Sequence, residues 1–400
     1  MIETTLAELT LNITDGKHGD CQGENDSGFY FISCKDVKDG QINYSDARQI
    51  TEKDFLDAHK RTMLEPDDIL VTNSGTIGRM AFVRDIPETY RTTFQKSVAI
   101  VKPDSKKILP VYLYYQLQNC VADFVNQSNG SAQKNLLLST MRAFKLCIHE
   151  NKNVQERIAG TLSTYDDLIE NSQKQIKLLE EAAQRLYKEW FVDLRFPGYE
   201  TTPIVDGVPE GWHVVKLSDV ADVNKTSISK QYPYDYVDYV DLGSVSKGRI
   251  ETITRFSIQE TPGRAKRVAS DGDIIWGMVR PNLKSYALVF HPAATSVFST
   301  GFAVLSAQKV PFSFLYCYVT QDDFVGYLVN CTNGAAYPAV KPIHFEKATI
   351  MVPTDDLLKQ FNLIAEPMYR KIEILEKQIQ QAKEARDRLL PKLMSGEIEV

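Results

Sequence analysis

Apolar residues recur alternately four and three positions apart along two stretches of the chain. The first stripe runs Tyr165, Ile169, Ser172, Ile176, Leu179, Ala183, Leu186 and Trp190. The second runs Met368, Ile372, Leu375, Ile379, Ala382, Arg386, Leu389 and Leu393. Such spacing lays one mostly apolar stripe along each of two long helices, with Gln, Lys and Glu on the flanks, and predicts a seam where the helices pair. The seam positions include Ile169, Ile176, Leu179 and Leu186 on one side and Ile372, Leu375, Ile379 and Leu389 on the other. The two stretches are also copies. Moved by 203 positions, IENSQKQIKLLEEAAQRL (169–186) falls on IEILEKQIQQAKEARDRL (372–389), with nine residues identical in register and no gap.

Ahead of the first helix the pattern changes to short β-type runs at Phe29–Ser33, Asp68–Thr72, Met80–Val83 and Ser97–Val101, broken by Gly, Asp and Pro turns. A helical pattern follows over Pro110–Val125, then a last short strand at Lys145–His149. The long helix begins near Val154 and runs to about Phe191. Pro197, Gly198, Pro203, Gly207, Pro209 and Gly211 then end any helix.

The second half repeats this order. FISCKDVKDGQI (31–42) matches YVDLGSVSKGRI (239–250), and DDILVTNSGTIGRMAFV (67–83) matches GDIIWGMVRPNLKSYALV (272–289). TFQKSVAIV (93–101) aligns with SVFSTGFAVL (296–305) with the Phe in register, and NGSAQ (129–133) aligns with NGAAY (333–337). A repeat of this length marks an internal duplication. The predicted organisation is a globular part over 1–153, a helix over 154–191, a linker over 192–211, a second globular part over 212–355, and a helix with a tail over 356–400. The fold class is mixed α/β (α+β): two tandem globular domains, each followed by a long helix, the helices pairing as an antiparallel coiled coil. Helices of about 38 residues would form a strut of ~55 Å. Two similar domains on such a strut suit an elongated ligand with two separated sites, and duplex DNA repeats its groove face every ~34 Å.

Composition changes this picture little. An apolar fraction of 43% and a charged fraction of 24% are those of ordinary globular protein, and the length suits two domains. No run has the apolar length of a membrane span and Met1–Thr14 lacks a leader pattern, so a cytoplasmic location is expected. The six cysteines are scattered without a CxxC pair, which predicts reduced thiols rather than zinc or disulfides. Net charge is −6; residues 1–150 hold 17 basic and 20 acidic side chains, and residues 212–353 hold 14 and 12. Neither domain is strongly basic, so the isolated chain is expected to bind DNA weakly, with partners adding phosphate contacts.

The tandem layout, together with ITDGKHGD, DILVTNSGTIGR, SNGSAQKNL, VPEGWHVVKLSDVADV, GAAYPAV and the terminal RDRLLPKLMSGEIEV, resembles the specificity (S) subunits of type I restriction–modification enzymes over essentially the whole chain. The resemblance implies two target-recognition domains, each reading one half of a bipartite double-stranded DNA sequence. The helices would set the spacer and dock two DNA methyltransferase (modification) subunits, and restriction translocase subunits would join the full complex. The S subunit itself would do no chemistry and need no cofactor. Two other readings stay open: a coiled-coil scaffold with protein-binding domains, and a self-contained DNA-modifying enzyme. Against the enzyme stand the missing motifs. There is no HExxH, no GxxxxGK[ST] and no NPP[YF], and the six histidines are too dispersed to suggest a metal pair.

Candidate DNA contacts are polar turns. Lys17 and His18 lie in the Gly-rich loop TDGKHGD, which also reads as a plain surface loop. Asn73, Ser74, Thr76 and Arg79 follow a strand; Arg can fork onto guanine, Asn onto adenine, and Ser or Thr onto either. Gln133, Lys134 and Asn135 form a third polar loop. In the second half Arg280, Asn282, Lys284 and Tyr286 occupy the turn equivalent to Asn73–Arg79, and Arg264, Lys266 and Arg267 form a basic cluster suited to phosphates. Tyr232, Tyr234, Tyr236 and Tyr239 are spaced as one face of a strand, with base stacking as the alternative. Trp190, Phe191 and Trp212 are expected to anchor the helix end and the start of the second domain. Tyr187, Leu390, Leu393 and Met394, read as exposed near the helix ends, and the tail Gly396–Val400 are expected to dock a partner.

Overall fold

The computed structural model describes residues 1–128, 135–229, 231–332 and 338–399. The chain forms two compact units: Met1–Glu170 with Ile379–Val400, and Asn171–Gln378. Each unit therefore takes a portion of both long helices, Lys152–Tyr187 and Asp355–Ser395.

In the first unit an antiparallel four-stranded sheet runs in the order Thr10–Asp15, Val98–Pro103, Ile69–Thr72, Met80–Phe82. Its central strands are apolar at nearly every position because both faces are covered, so they show no alternation. Tyr30–Ile32 pairs in parallel with Thr92–Phe94, and Ile2–Thr5 pairs with Lys145–Ile148 just ahead of the long helix. The second unit repeats the sheet as Ala221–Val223, Phe302–Ala307, Ile274–Gly277, Tyr286–Leu288. Here the parallel pair, Tyr236–Val240 with Ser296–Ser299, grows into a five-stranded sheet. The matched segments 31–42 and 239–250 both fold as a two-residue-strand hairpin, Val37–Lys38 with Gln41–Ile42 and Val245–Ser246 with Arg249–Ile250.

Within each unit the two long helices run antiparallel. In the first, Ile158 and Leu162 share a core with Leu390, Leu393 and Met394, and Asp166 meets Arg386. In the second, Tyr187 packs on Phe361, while Glu180 and Glu376 are both half-buried near Arg249, and partial desolvation pushes both carboxyls up. Ile169, Ser172, Ile176 and Ala183 are buried, as are Ile372, Leu375, Ile379 and Ala382. Leu179, Leu186 and Leu389 are only half-buried. Beyond Ala183 the buried stripe moves by one residue to Tyr187 and Phe191, because 3.6 residues per turn drifts from a strict heptad. The second helix runs through Pro367 and Pro391, both exposed, so water can satisfy the carbonyls they leave without a helical donor.

Two expectations are corrected. Pro110–Val125 is not one helix: it breaks at Cys120, whose backbone leaves the helical region (φ −98, ψ 8), giving Pro110–Asn119 and Val121–Asn126. The break turns the second piece so that Phe124 packs on Phe144 with ring centres 4.5 Å apart. Tyr187, Leu390, Leu393 and Met394 are not exposed docking residues. Tyr187 is enclosed by Phe191, Phe314 and Phe361, and the other three close the core of the first unit. Their apolar side chains have a large apolar partner inside their own unit, and burial there wins. Phe191 and Trp212 do anchor the helix end, at 5.9 Å, and Phe196 also packs on Trp212, at 4.8 Å.

Candidate nucleic-acid interface

The first unit gathers several sequence-distant polar residues at one end of its sheet. Strand Ile69–Thr72 ends in Asn73, whose amide donates to the Ser97 carbonyl at 3.0 Å and whose carbonyl accepts from Leu136 N at 2.8 Å. Ser74 bridges to Asn135 beside this bond. Thr72 fixes the turn that follows: its Oγ1 accepts from Arg79 N at 2.9 Å and donates to the Thr76 carbonyl. Thr76 and Arg79 are left exposed.

Loop 15–18 closes the site from the other side. Lys17 N donates to the Phe94 carbonyl at 2.7 Å, and Lys96 N donates to the Lys17 carbonyl at 3.2 Å. So close a passage requires glycine at 16, where a Cβ would overlap the carbonyl oxygens of Phe94 and Gln95. Asp15, buried, accepts from Arg61 at 2.6 Å and lies 3.1 Å from His18 Nε2. Lys17 pairs with Asp57 at 3.1 Å, which holds its ammonium above the usual lysine value. Asp15, His18, Asn73, Ser74, Lys96 and Asn135 together line a polar cleft of about 360 Å³. Oδ1 of Asn73, in this cleft, and Oγ of the adjoining Ser97 are buried without a hydrogen-bond partner. Gln133 and Lys134 lie outside the described residues, as do the NGSAQ and NGAAY segments.

The second unit repeats the framework. Met278 N donates to the Gly301 carbonyl at 2.8 Å, Val340 N donates to the Met278 carbonyl at 2.9 Å, and Val279 bridges to Ala339. Thr300 N donates to the Arg264 carbonyl at 2.8 Å, which brings the basic cluster beside this strand end as Lys17 and Lys96 are beside the first.

A family model described as "Type I restriction modification DNA specificity domain" matches residues 23–181. The MjaIX specificity subunit of Methanocaldococcus jannaschii is 26% identical over 385 residues, spanning 92% of this chain and 87% of the relative. Over nearly its whole length the chain is similar to type I restriction–modification specificity subunits. The EcoBI specificity subunit of Escherichia coli is 32% identical over 148 residues, 36% of this chain and 30% of that one. The crystal structure of the S subunit from M. genitalium shares the fold, with a TM-score of 0.60 over 98% of this chain and 96% of that chain at 16% identity.

The remaining sequence-predicted residues spread more widely. Arg280 and Asn282 are exposed on the turn after Ile274–Gly277, and Lys284 pairs with Asp322 at 2.6 Å. Tyr286 is core: it packs against Trp276 and Tyr316, since its place in the strand points it inward. Arg264 and Lys266 are exposed, whereas Arg267 is half-buried with an unpartnered Nε. Tyr239 is buried and Tyr236 lies under the Arg255 guanidinium at 4.1 Å, so these two take opposite faces of the strand Tyr236–Val240, while Tyr232 and Tyr234 precede it. Sequence reasoning missed Lys96, Ser97, Met278, Val279, Gly301 and Ala339. The alignment of 93–101 with 296–305 already set Lys96–Ser97 against Thr300–Gly301, and that mismatch within matched strands was the available signal.

Among the described residues no helix is long and apolar enough to cross a membrane.

Proposed function

We propose that this chain selects DNA for a type I restriction–modification complex, each globular part reading one half of a bipartite duplex target. The long helices set the spacer and carry two methyltransferase subunits, restriction translocase subunits complete the assembly, and the chemistry belongs to those partners. One observation carries the reading. The same main-chain framework stands at the same strand end in both units, yet the side chains mounted on it differ. A duplicated catalytic site would keep its reactive groups in both copies, whereas a pair of readers for unlike sequences keeps the mount and varies the side chains. Lys17 and Lys96 in one unit and Arg264 and Lys266 in the other supply cations for flanking phosphates.

The test is base-resolution methylation mapping of host DNA after co-expression with the cognate methyltransferase, with the methyltransferase alone as control. A two-part methylated motif that requires this chain is the expected result. A stable complex that yields no such motif would overturn the reading in favour of a scaffold.

A further inference from the structure

Four paired positions share their main-chain geometry and oppose each other in chemistry. Asn73, Ser74, Ser97 and Asn135 in the first unit correspond, bond for bond, to Met278, Val279, Gly301 and Ala339 in the second. Every member of the first set can hydrogen-bond through its side chain, and no member of the second can do so with ordinary strength.

The first set is also unfinished. Asn73 is 5% exposed and lines the cleft, and its Oδ1 lacks a donor; Ser97, hydrogen-bonded to it through the main chain, has a buried Oγ without a partner. Six buried side-chain polar atoms among the described residues share that condition, and these two fall on directly bonded neighbours at the strand end. A buried acceptor left without a donor is a cost that a ligand N–H would relieve. Among base edges, adenine offers an amino donor beside an acceptor, matching both ends of an amide. Cytosine offers the amino donor alone, and thymine presents a methyl group that apolar side chains contact.

The geometry points to these positions as the specificity determinants of the two half-sites: Asn73, aided by Ser97, takes an adenine edge, and Met278 with Val279 and Ala339 takes a thymine methyl. The assignment rests on the DNA-reading function proposed above.

The experiment maps methylation for the complete complex carrying wild-type chain, Asn73→Ser, Asn73→Asp, Met278→Asn or Asn135→Ala. Asn73→Ser should reduce discrimination for adenine at one position of one half-site about tenfold, and Asn73→Asp should move that position toward cytosine. Met278→Asn should lose thymine at one position of the other half-site, and every variant should keep the spacer. If the wild-type chain gives a bipartite motif and the variants keep it unchanged, the assignment is overturned while the DNA-reading function stands. A wild-type chain that gives no motif overturns both. Should the buried Asn73 variants fail to fold, the exposed Asn135→Ala and the half-buried Met278→Asn decide: an altered base at one position in either supports the assignment, and an unaltered motif in both overturns it.

Discussion

Arg386 of the second long helix donates to Asp166 of the first at 2.5 Å, and the other Asp166 oxygen accepts from the Tyr115 hydroxyl at 2.6 Å. A charged pair thus sits at a seam position of the periodic pattern and ties both helices to the first globular part. Its side chains are 18% and 22% exposed, so most of the charge is out of water. Removing one partner should therefore cost more than removing both. Asp166→Ala is expected to lower the unfolding free energy by about 2–3 kcal/mol, and Asp166→Leu with Arg386→Leu by roughly 1 kcal/mol or less. Chemical denaturation followed by circular dichroism measures both.

The helix end near residue 393 belongs to a core. Leu393 is 1% exposed and packs with Ile158 and Leu162. Leu393→Ala should cost about 3 kcal/mol, with faster hydrogen exchange in Lys145–Ile148 and Pro110–Asn119. Loss of methyltransferase binding with unchanged exchange in those strands and helices would contradict this.

Glycine at 16 holds loop 15–18 against the sheet. Gly16→Ala should displace Lys17 and His18 and abolish selection at one half-site, leaving the other half-site sequence intact in fragments bound by the complex. Retention of both half-sites in a sequence-selection assay would argue against a reading role for this loop.

The pH dependence of the first unit should carry the mark of Asp68. Burial raises its carboxyl from the ordinary 3.8 to about 6, against the pull of Lys102 at 2.7 Å and of the Glu65 amide. A carboxyl raised in the fold binds its proton more tightly there than in the unfolded chain. Its contribution to stability is full below pH 3.8 and is lost as pH rises through about 6. Asp68→Asn should flatten that loss, which amounts to about 2 kcal/mol between pH 4 and 7. Parallel denaturation curves across that range, for wild type and variant, check it.

The duplication and the seam were legible because both are local patterns: a heptad stripe and a repeated order of short motifs need no tertiary information. Ile169, Ile176, Ile372 and Leu375 are buried as their spacing predicts. Past Ala183 the spacing misleads, because the helix drifts from a strict heptad and turns Tyr187 and Phe191 inward onto both Phe361 of the partner helix and Phe314 of the globular part. Leu393 and Met394 were misread because the side chains that cover them lie far away in sequence. Nothing near them in sequence shows that residues 158 and 162 provide their partners. At the candidate interface, polar turns identified His18, Asn73, Ser74 and Asn135, which the fold brings to one cleft. The apolar counterpart could not be found by looking for polar residues. Met278 and Ala339 acquire meaning only once hydrogen bonds show which positions they match.

Because Ile379–Val400 completes the first compact unit, the order of synthesis is not the order of completion. A ribosome that has made Glu170 must translate all of Asn171–Gln378 before the missing segment appears. At ~5–20 residues per second this takes roughly ten to forty seconds. Meanwhile Ile158 and Leu162 of the nascent chain lack the side chains that later cover them, a stretch for chaperones to hold. A premature stop just after Gln378 would thus spare every residue of the N-terminal cleft and still disable the half of the protein made first.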